Sequence, residues 1–295
     1  MIVDKPAGLV VHPTYKHTEG TLWDLLLDDL ARRGHDGWSP PILPDKPGWE
    51  HAPEEIRQML REKRLAKIQR EEGQLDRPIL LHRLDKDTSG VLALALTGLA
   101  CQHLARQFIS HTITKTYLAV ARRAAPSWAQ PRAPFTITLA SLLEGETPPG
   151  QLLDLALYAG STLLLDGALQ RDPDDRRRCI VGPDGQQART HVRILAAWDE
   201  YALVEVQPIT GRTHQIRAHL AAAGYALVGD PTYASPAATS SPAAQLTRQF
   251  LHAHSLTLRD YPTNRPRIFT SPLPTDLAAW LRTYGPVDWE QAIVL

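Results

Sequence analysis

Apolar positions in this chain fall into short runs separated by turn-forming residues, a texture of strands with a few helices between them. Ile2–Val3 and Leu9–Val11 read as two short extended runs broken by Pro6 and Gly8. ILLHRL (79–84) and VLALALT (91–97) have strand length and flank a polar loop, while TKTYLAVA (114–121) alternates with a period of two. RTHVRILAAW (189–198) and YALVEVQPIT (201–210) lie either side of an Asp199-Glu200 turn, and LHAHSLTL (251–258) supplies a further strand. Helices fit three intervals among them. One runs from Thr97 as cap to about His111, one from about Arg212 to Ala223 with Gly224 as its stop, and one over DLAAWLRTYG with Thr275 as cap and Gly285 as stop.

Two stretches break this texture. From Asp28 to Arg77 the chain carries GHDGWSPPILPDKPGW (34–49), read as a loop, and then a helix from Pro53 with Glu54 and Glu55 in its first turn and Gly73 as its end. Within it, RQMLREKRLAKIQR (57–70) holds six basic residues against one acidic residue and lacks one clean apolar stripe. It fits either a solvated helical insertion or an arm that faces nucleic acid. Residues 124–160 are the other irregular stretch, with APSWAQPRAP and GETPPG as loop signals. No repeat of fixed period is present, and strands outnumber helices without regular alternation. The fold class expected is mixed α/β (α+β), with a mainly antiparallel mixed sheet and flanking helices.

Composition narrows the class of protein more than its activity. The 295 residues are 43% hydrophobic and 22% charged, ordinary for a globular chain and against a disordered scaffold. Two cysteines, Cys101 and Cys179, exclude a disulfide framework and read as reduced thiols. Lys+Arg equals Asp+Glu at 32 each, so nucleic acid binding has to rest on local patches and not on a global field. There is no basic segment followed by a long apolar stretch near Met1, and the longest apolar run, VLALALTGLA at 91–100, is too short to span a bilayer. A soluble, cytoplasmic protein without a membrane partner is the expectation.

Three polar clusters can carry chemistry. HRLDKDTSG (82–90) lies between two apolar strands, where catalytic groups tend to be held. Asp85 and Asp87 are two apart and share a face of an extended segment, as a glycoside or nucleoside hydrolase would need; the same residues are also ordinary turn formers. PITGRTHQIRAH (208–219) joins a strand end, a Gly turn and a helix start, so Arg212 and Arg217 with free N–H groups there suit a phosphate or carboxylate. His214 and His219 are five apart, not the four that put two ligands on one helical face, so no metal is expected. Lys115 and Tyr117 sit two apart on a strand and point the same way, as surface pairs also do.

Taken in order, HRLDKDTSG, KTYLAV and GRTHQIRAHL…VGDPTY resemble the RluA-type RNA pseudouridine synthases, with VDKPAGLVVHPT…GTLWDLL, RDPDDRRR, LHAHSLTL and FTSPLPTDL extending the likeness. Only about 28–77 and 124–162 are unmatched. The resemblance implies a pseudouridine synthase fold with a catalytic cleft, acting without cofactor or metal on specific uridines of structured ribosomal or transfer RNA. The base leaves C1′, turns and returns through C5. By this resemblance Asp85 is the essential carboxylate that stabilises or attacks the sugar. Arg212 would pair with it, and Tyr117 would stack on the base and act as general base. Arg83 would fill or prop the gap left by a flipped uridine. His82, Thr88, Lys115, Thr213, His214 and Arg217 complete the expected substrate contacts, and Asp87 is expected to fix the loop. Most members begin with another strand, and many with a small RNA-binding domain. Here a single catalytic domain over 1–295, monomeric, is expected, with the sheet short of an edge strand or the true start upstream of Met1. An inactive RNA-binding protein of the same fold is the other reading.

Overall fold

The computed structural model describes residues 1–13, 17–33, 49, 52–71, 78–123, 125–139, 160–234 and 246–293, the side chains of 64–71 excepted. Strands β1 (Ile2–Lys5), β2 (Ile79–Leu80), β3 (Ser89–Ala95), β4 (Thr114–Arg122), β5 (Phe135–Leu139) and β6 (Thr162–Gly167) belong to one large sheet. So do β9 (Arg189–Trp198), β10 (Tyr201–Pro208), β11 (Ala226–Leu227), β12 (Leu251–Arg259) and β13 (Pro266–Thr270), while β7 (Leu169–Arg171) and β8 (Cys179–Val181) form a separate hairpin. The main path of the sheet runs β1-β3-β12-β4-β10-β9-β6-β5. Every ladder is antiparallel except β12 against β3, so the mixed, mainly antiparallel class expected from the strand texture is the one observed.

Alternation along the central strands sends side chains to both faces, and helices cover each. Tyr117, Ala119 and Ala121 of β4 and Ala202, Val204 and Val206 of β10 meet α1 (Leu22–Arg33) and α4 (Gln215–Ala222) in one core. The intervening Val120 and Leu203 meet Leu277, Trp280 and Leu281 of α5 (Thr275–Tyr284) in another, with Trp289 of α6 (Trp289–Ile293). A third helix, α3 (Gly98–Ile109), packs Leu104 against β3 and β12, and its start is capped as expected, the Thr97 hydroxyl accepting from Ala100 N at 3.2 Å.

Several expectations need correction. Leu9–Val11 is not a strand; the carbonyls of Val10 and Val11 accept from Leu22 N and Trp23 N, lashing this segment to a helix, α1, that the alternation had hidden. The ILLHRL strand stops after two residues, because the loop chemistry begins at once. The irregular stretch 124–160 contains β5, and β6, β7, β8, β13 and α6 were also unread. Thr275 begins α5 as a helical residue, and the cap position falls on Pro274. The insertion helix, α2, covers Glu54–Glu71. Its Arg57 and Arg61 both pair with Glu54 of the same helix, as a solvated helix would. The loop expected at 34–48 and the Gly73 stop lie outside the described residues. Among the described residues no helix is long and apolar enough to cross a membrane.

One glycine shows why the polar cluster ends in Gly. Gly90 lies at φ +117°, and a Cβ there would sit 2.2 Å from the carbonyl oxygen of Ala253 on β12. The parallel approach of β12 to β3, directly behind the Asp85 loop, therefore admits no side chain at that point.

Candidate active site

The loop 82–88 crosses the mouth of the sheet and is tied down from several sides. Thr88 N closes a turn onto Asp85 O at 3.1 Å. Lys5, fully buried at the end of β1, donates from Nζ to the carbonyls of Pro6, Leu9 and Lys86 at 2.7–2.8 Å, joining the two N-terminal motifs. Burial pushes that ammonium down to about 8, with Asp87 and then Asp85 pulling the other way. Arg248 Nη1 donates to the backbone carbonyl of Asp87 at 3.2 Å, a further tether on the loop.

Asp85, its side chain partly exposed, lines a 330 Å³ cleft together with Tyr117, Lys115, His82, Ile216, Arg212 and Thr213 among others. Its Oδ2 accepts from Arg217 Nη1 at 3.3 Å and lies 3.9 Å from His214 Nε2. Arg217 is itself clamped: Nε and Nη2 donate to the two oxygens of the buried Asp230 at 2.7 Å each, and its guanidinium lies 4.9 Å from the Tyr233 ring centre. Asp230 Oδ1 also accepts from Thr232 N and Tyr233 N, so the GDPTY turn is built around this one carboxylate. The Tyr233 hydroxyl contacts Cys179 N, Cys179 O and His214 Nδ1, the last at 3.3 Å. His214 precedes α4 with φ +53°, and burial holds its imidazole below the ordinary value.

This overturns the expected partner of Asp85. Arg212, in the exposed turn before α4, sends Nε to the Gln187 carbonyl at 3.2 Å, and the cation that meets Asp85 is Arg217. The helix decides it: Arg212 lies in the exposed turn before α4, whereas Arg217 lies within α4, all eight residues of which are buried.

The other expected residues divide between lining and support. Tyr117 is buried beside the cleft, and burial, then the Asp85 charge, raises its phenol above the ordinary value. A standing phenolate is thereby disfavoured, which leaves a neutral ring with an O–H to donate. Lys115 donates to Thr210 O at 3.1 Å and burial pushes it down to about 8. His82 stacks on Phe108 with centroids 5.0 Å apart, and its Nε2 accepts from Ala93 N at 3.0 Å, with burial pushing it down to about 3. It pins the loop to β3 as a neutral ring. Thr88 is buried and accepts from Gln249 Nε2 at 3.3 Å, a support beneath the loop. Arg83 is exposed at the rim. Sequence reasoning gave no role to Lys5, Asp230, Tyr233 or Gln249; for the first three, the motifs VDKPAG and VGDPTY were the available signal.

Comparison with known proteins places these features in context. A family model described as RNA pseudouridylate synthase matches residues 1–222. An uncharacterised RNA pseudouridine synthase of Chloroflexus aurantiacus is 36% identical over 282 residues, covering 95% of this chain and 65% of that protein. The ribosomal large subunit pseudouridine synthase D of Nitrosomonas europaea is 32% identical over 285 residues, covering 96% and 62%. The chain thus spans a little under two thirds of the length of these relatives. Among solved structures, human RNA Pseudouridylate Synthase Domain Containing 4 superposes with a TM-score of 0.52 at 20% identity, covering 95% of this chain and 88% of that one, a likeness of fold.

Proposed function

From the premise that the chain belongs to the RNA pseudouridylate synthase family, we propose that it isomerises uridines of structured RNA to pseudouridine, with Asp85 as the essential carboxylate. The observation that carries this reading is the setting of Asp85: one carboxylate lining a cleft, oriented by a doubly anchored arginine, with a buried tyrosine in the same lining. Such a group can stabilise or attack C1′ as the glycosidic bond to N1 breaks. The released uracil then turns, forms its new bond from C5 to C1′, loses the C5 proton and gains one at N1, so no atom is left over. Tyr117 offers a flat face for the uracil and a hydroxyl for proton transfer. Arg217 positions Asp85, while Lys115, Thr213, His214 and Arg212 line the cleft as substrate contacts. The uridine presents its C1′ to Asp85 only if it leaves its stack, and the role of propping the gap falls to the exposed Arg83 of the same lining.

The name of the Nitrosomonas relative, a ribosomal large subunit pseudouridine synthase, supports ribosomal large-subunit RNA as the substrate class. The test is to incubate purified protein with RNA from cells lacking the gene and to analyse nucleosides by mass spectrometry. Pseudouridine at a defined position is the expected result. Release of free uracil instead would identify a hydrolase, and binding without product an inactive module.

A further inference from the structure

Lys115 brings to the cleft a half-buried cation that no carboxylate answers. It leaves β4 on the same face as Tyr117, two residues on, and both line the cleft. Its Nζ donates to Thr210 O at 3.1 Å and forms no ion pair among the described residues. Nζ stands 3.8 Å from the point where a Cβ on Gly211 would lie, so the turn passes the ammonium without a side chain to cover it. Other buried cations are satisfied: Arg217 and Arg248 each hold a carboxylate with two donors, and Lys5 meets three carbonyls. Burial pushes the Lys115 ammonium down to about 8, as befits a charge taken out of water without a partner. In a cleft where an anion is formed and then consumed, such a cation is answered only while that anion is present.

Resting on the RNA reading above, we propose that Lys115 is a catalytic residue whose ammonium stabilises the uracil anion released when the bond from C1′ to N1 breaks. The bonding pair leaves with the base, and its charge spreads over N1, C5 and the carbonyl oxygens O2 and O4. That delocalisation is what makes C5 a nucleophile. With Asp85 at C1′ and the ring against Tyr117, the base presents a carbonyl oxygen to Nζ, whose two remaining N–H groups have no other acceptor among the described residues. The charge is absent from substrate and product, so the contact strengthens as the bond breaks, which is where it lowers the barrier. Arg217 is already committed to Asp230 and Asp85. Lys115 keeps all three protons throughout: C5 returns a pair to C1′, the C5 proton leaves and N1 gains one, so the ammonium acts by its charge and not as an acid.

The test uses the full chain with RNA from cells lacking the gene, and reads the single-turnover rate together with RNA affinity by filter binding. Lys115→Met keeps the length and removes the charge, while Lys115→Arg keeps a cation that stays charged across the pH range. The expected result is a loss of about 10²- to 10³-fold in rate for Lys115→Met, with affinity within about threefold of wild type, and recovery of at least about tenfold in Lys115→Arg. The wild-type rate falls as pH rises through about 8, because the ammonium is charged only below that value, and Lys115→Arg abolishes the fall. The titratable and charged groups that share the cleft are His82, Arg83 and Asp85 of the loop, His111 after α3, Tyr117, and Arg212, His214 and Arg217. Of these, His82 and His214 are held below the ordinary value and Tyr117 above it. Lys5, also pushed down to about 8, is present in both variants, so a fall that persists in Lys115→Arg arises elsewhere and overturns the proposal. A near-wild-type rate in Lys115→Met, or a loss confined to affinity, overturns it as well. Wild-type protein that forms no pseudouridine refutes the proposed activity and this role with it, whereas an active wild type indifferent to Lys115 refutes this role alone. Should Lys115→Met fail to fold in a thermal melt, the pH profiles of wild type and Lys115→Arg carry the decision.

Discussion

Arg217 meets Asp85 with only the Nη1 edge of its guanidinium, at 3.3 Å, because Asp230 holds the Nε and Nη2 edge at 2.7 Å. The buried pair of Arg217 and Asp230 is therefore a mount, and the candidate catalytic carboxylate is what it aims at. A planar fork with five donors can serve both carboxylates at once, which a lysine cannot.

Asp85→Asn is expected to reduce pseudouridine formation to background while leaving RNA affinity and the melting temperature near wild type. The amide keeps the shape but cannot stabilise or attack the sugar. Nucleoside analysis, filter binding and a thermal melt check the three parts, and near-wild-type turnover would falsify the role.

Tyr117→Phe is expected to lose about 10²- to 10⁴-fold in turnover with RNA affinity little changed, since the ring still stacks and only the hydroxyl is gone. Because the phenol is raised above its ordinary value, its ionisation contributes no limb to the pH–rate profile between pH 7 and 9. A loss seen in affinity alone would reduce Tyr117 to a stacking surface.

Asp230→Asn leaves Arg217 buried with one edge unanswered. Breaking a buried pair in this way costs about 3–5 kcal/mol, measurable as a lower urea midpoint at unchanged slope. Turnover of the remaining folded protein falls about 100-fold as Arg217 ceases to hold Asp85. Arg217→Lys preserves the charge and not the fork, and recovery of full turnover by that variant would contradict the mounting role.

Acid should unfold the protein through its buried histidines. His219 is fully buried, donates from Nε2 to Gly167 O at 3.0 Å and contacts Thr190 Oγ1 at 2.9 Å, and burial pushes it down to about 4. The unfolded chain binds a proton at about 6.5 where the folded one does not, so this stability is complete above pH 6.5 and drains away as pH falls to about 4. His252, pushed down to about 4, acts in the same direction. Melting temperature should decline across that window, and His219→Gln should flatten the decline; an unchanged slope in the variant argues against it.

Much of the site was legible in the sequence because loop chemistry is local. HRLDKDTSG announces a polar loop between apolar strands, Thr97 announces a helix start, and period-two alternation in KTYLAV and YALVEV places both strands in the sheet. Their side-chain types suffice for that, since strand and cap preferences act over a few residues. The family resemblance located Asp85 for the same reason, through contiguous motifs.

What the chain could not disclose by itself depends on residues far apart. Arg212 and Arg217 are equally cationic neighbours in one motif, and only the inward turn of α4 against a carboxylate 13 residues downstream selects Arg217 as the partner of Asp85. Lys5 reads as a surface lysine until β1 buries it beneath a carbonyl 81 residues away. Gln249 shows no motif, and its orphaned oxygen exists only because Thr88 takes one end of its amide and the fold seals the other. Helix α1 and strand β5 were likewise hidden, α1 being lashed to the segment 10–11 and β5 formed by its pairing with β6. Local propensity sets which residues are available, but burial and directional hydrogen bonds, which need partners brought together by the whole chain, decide which of them act.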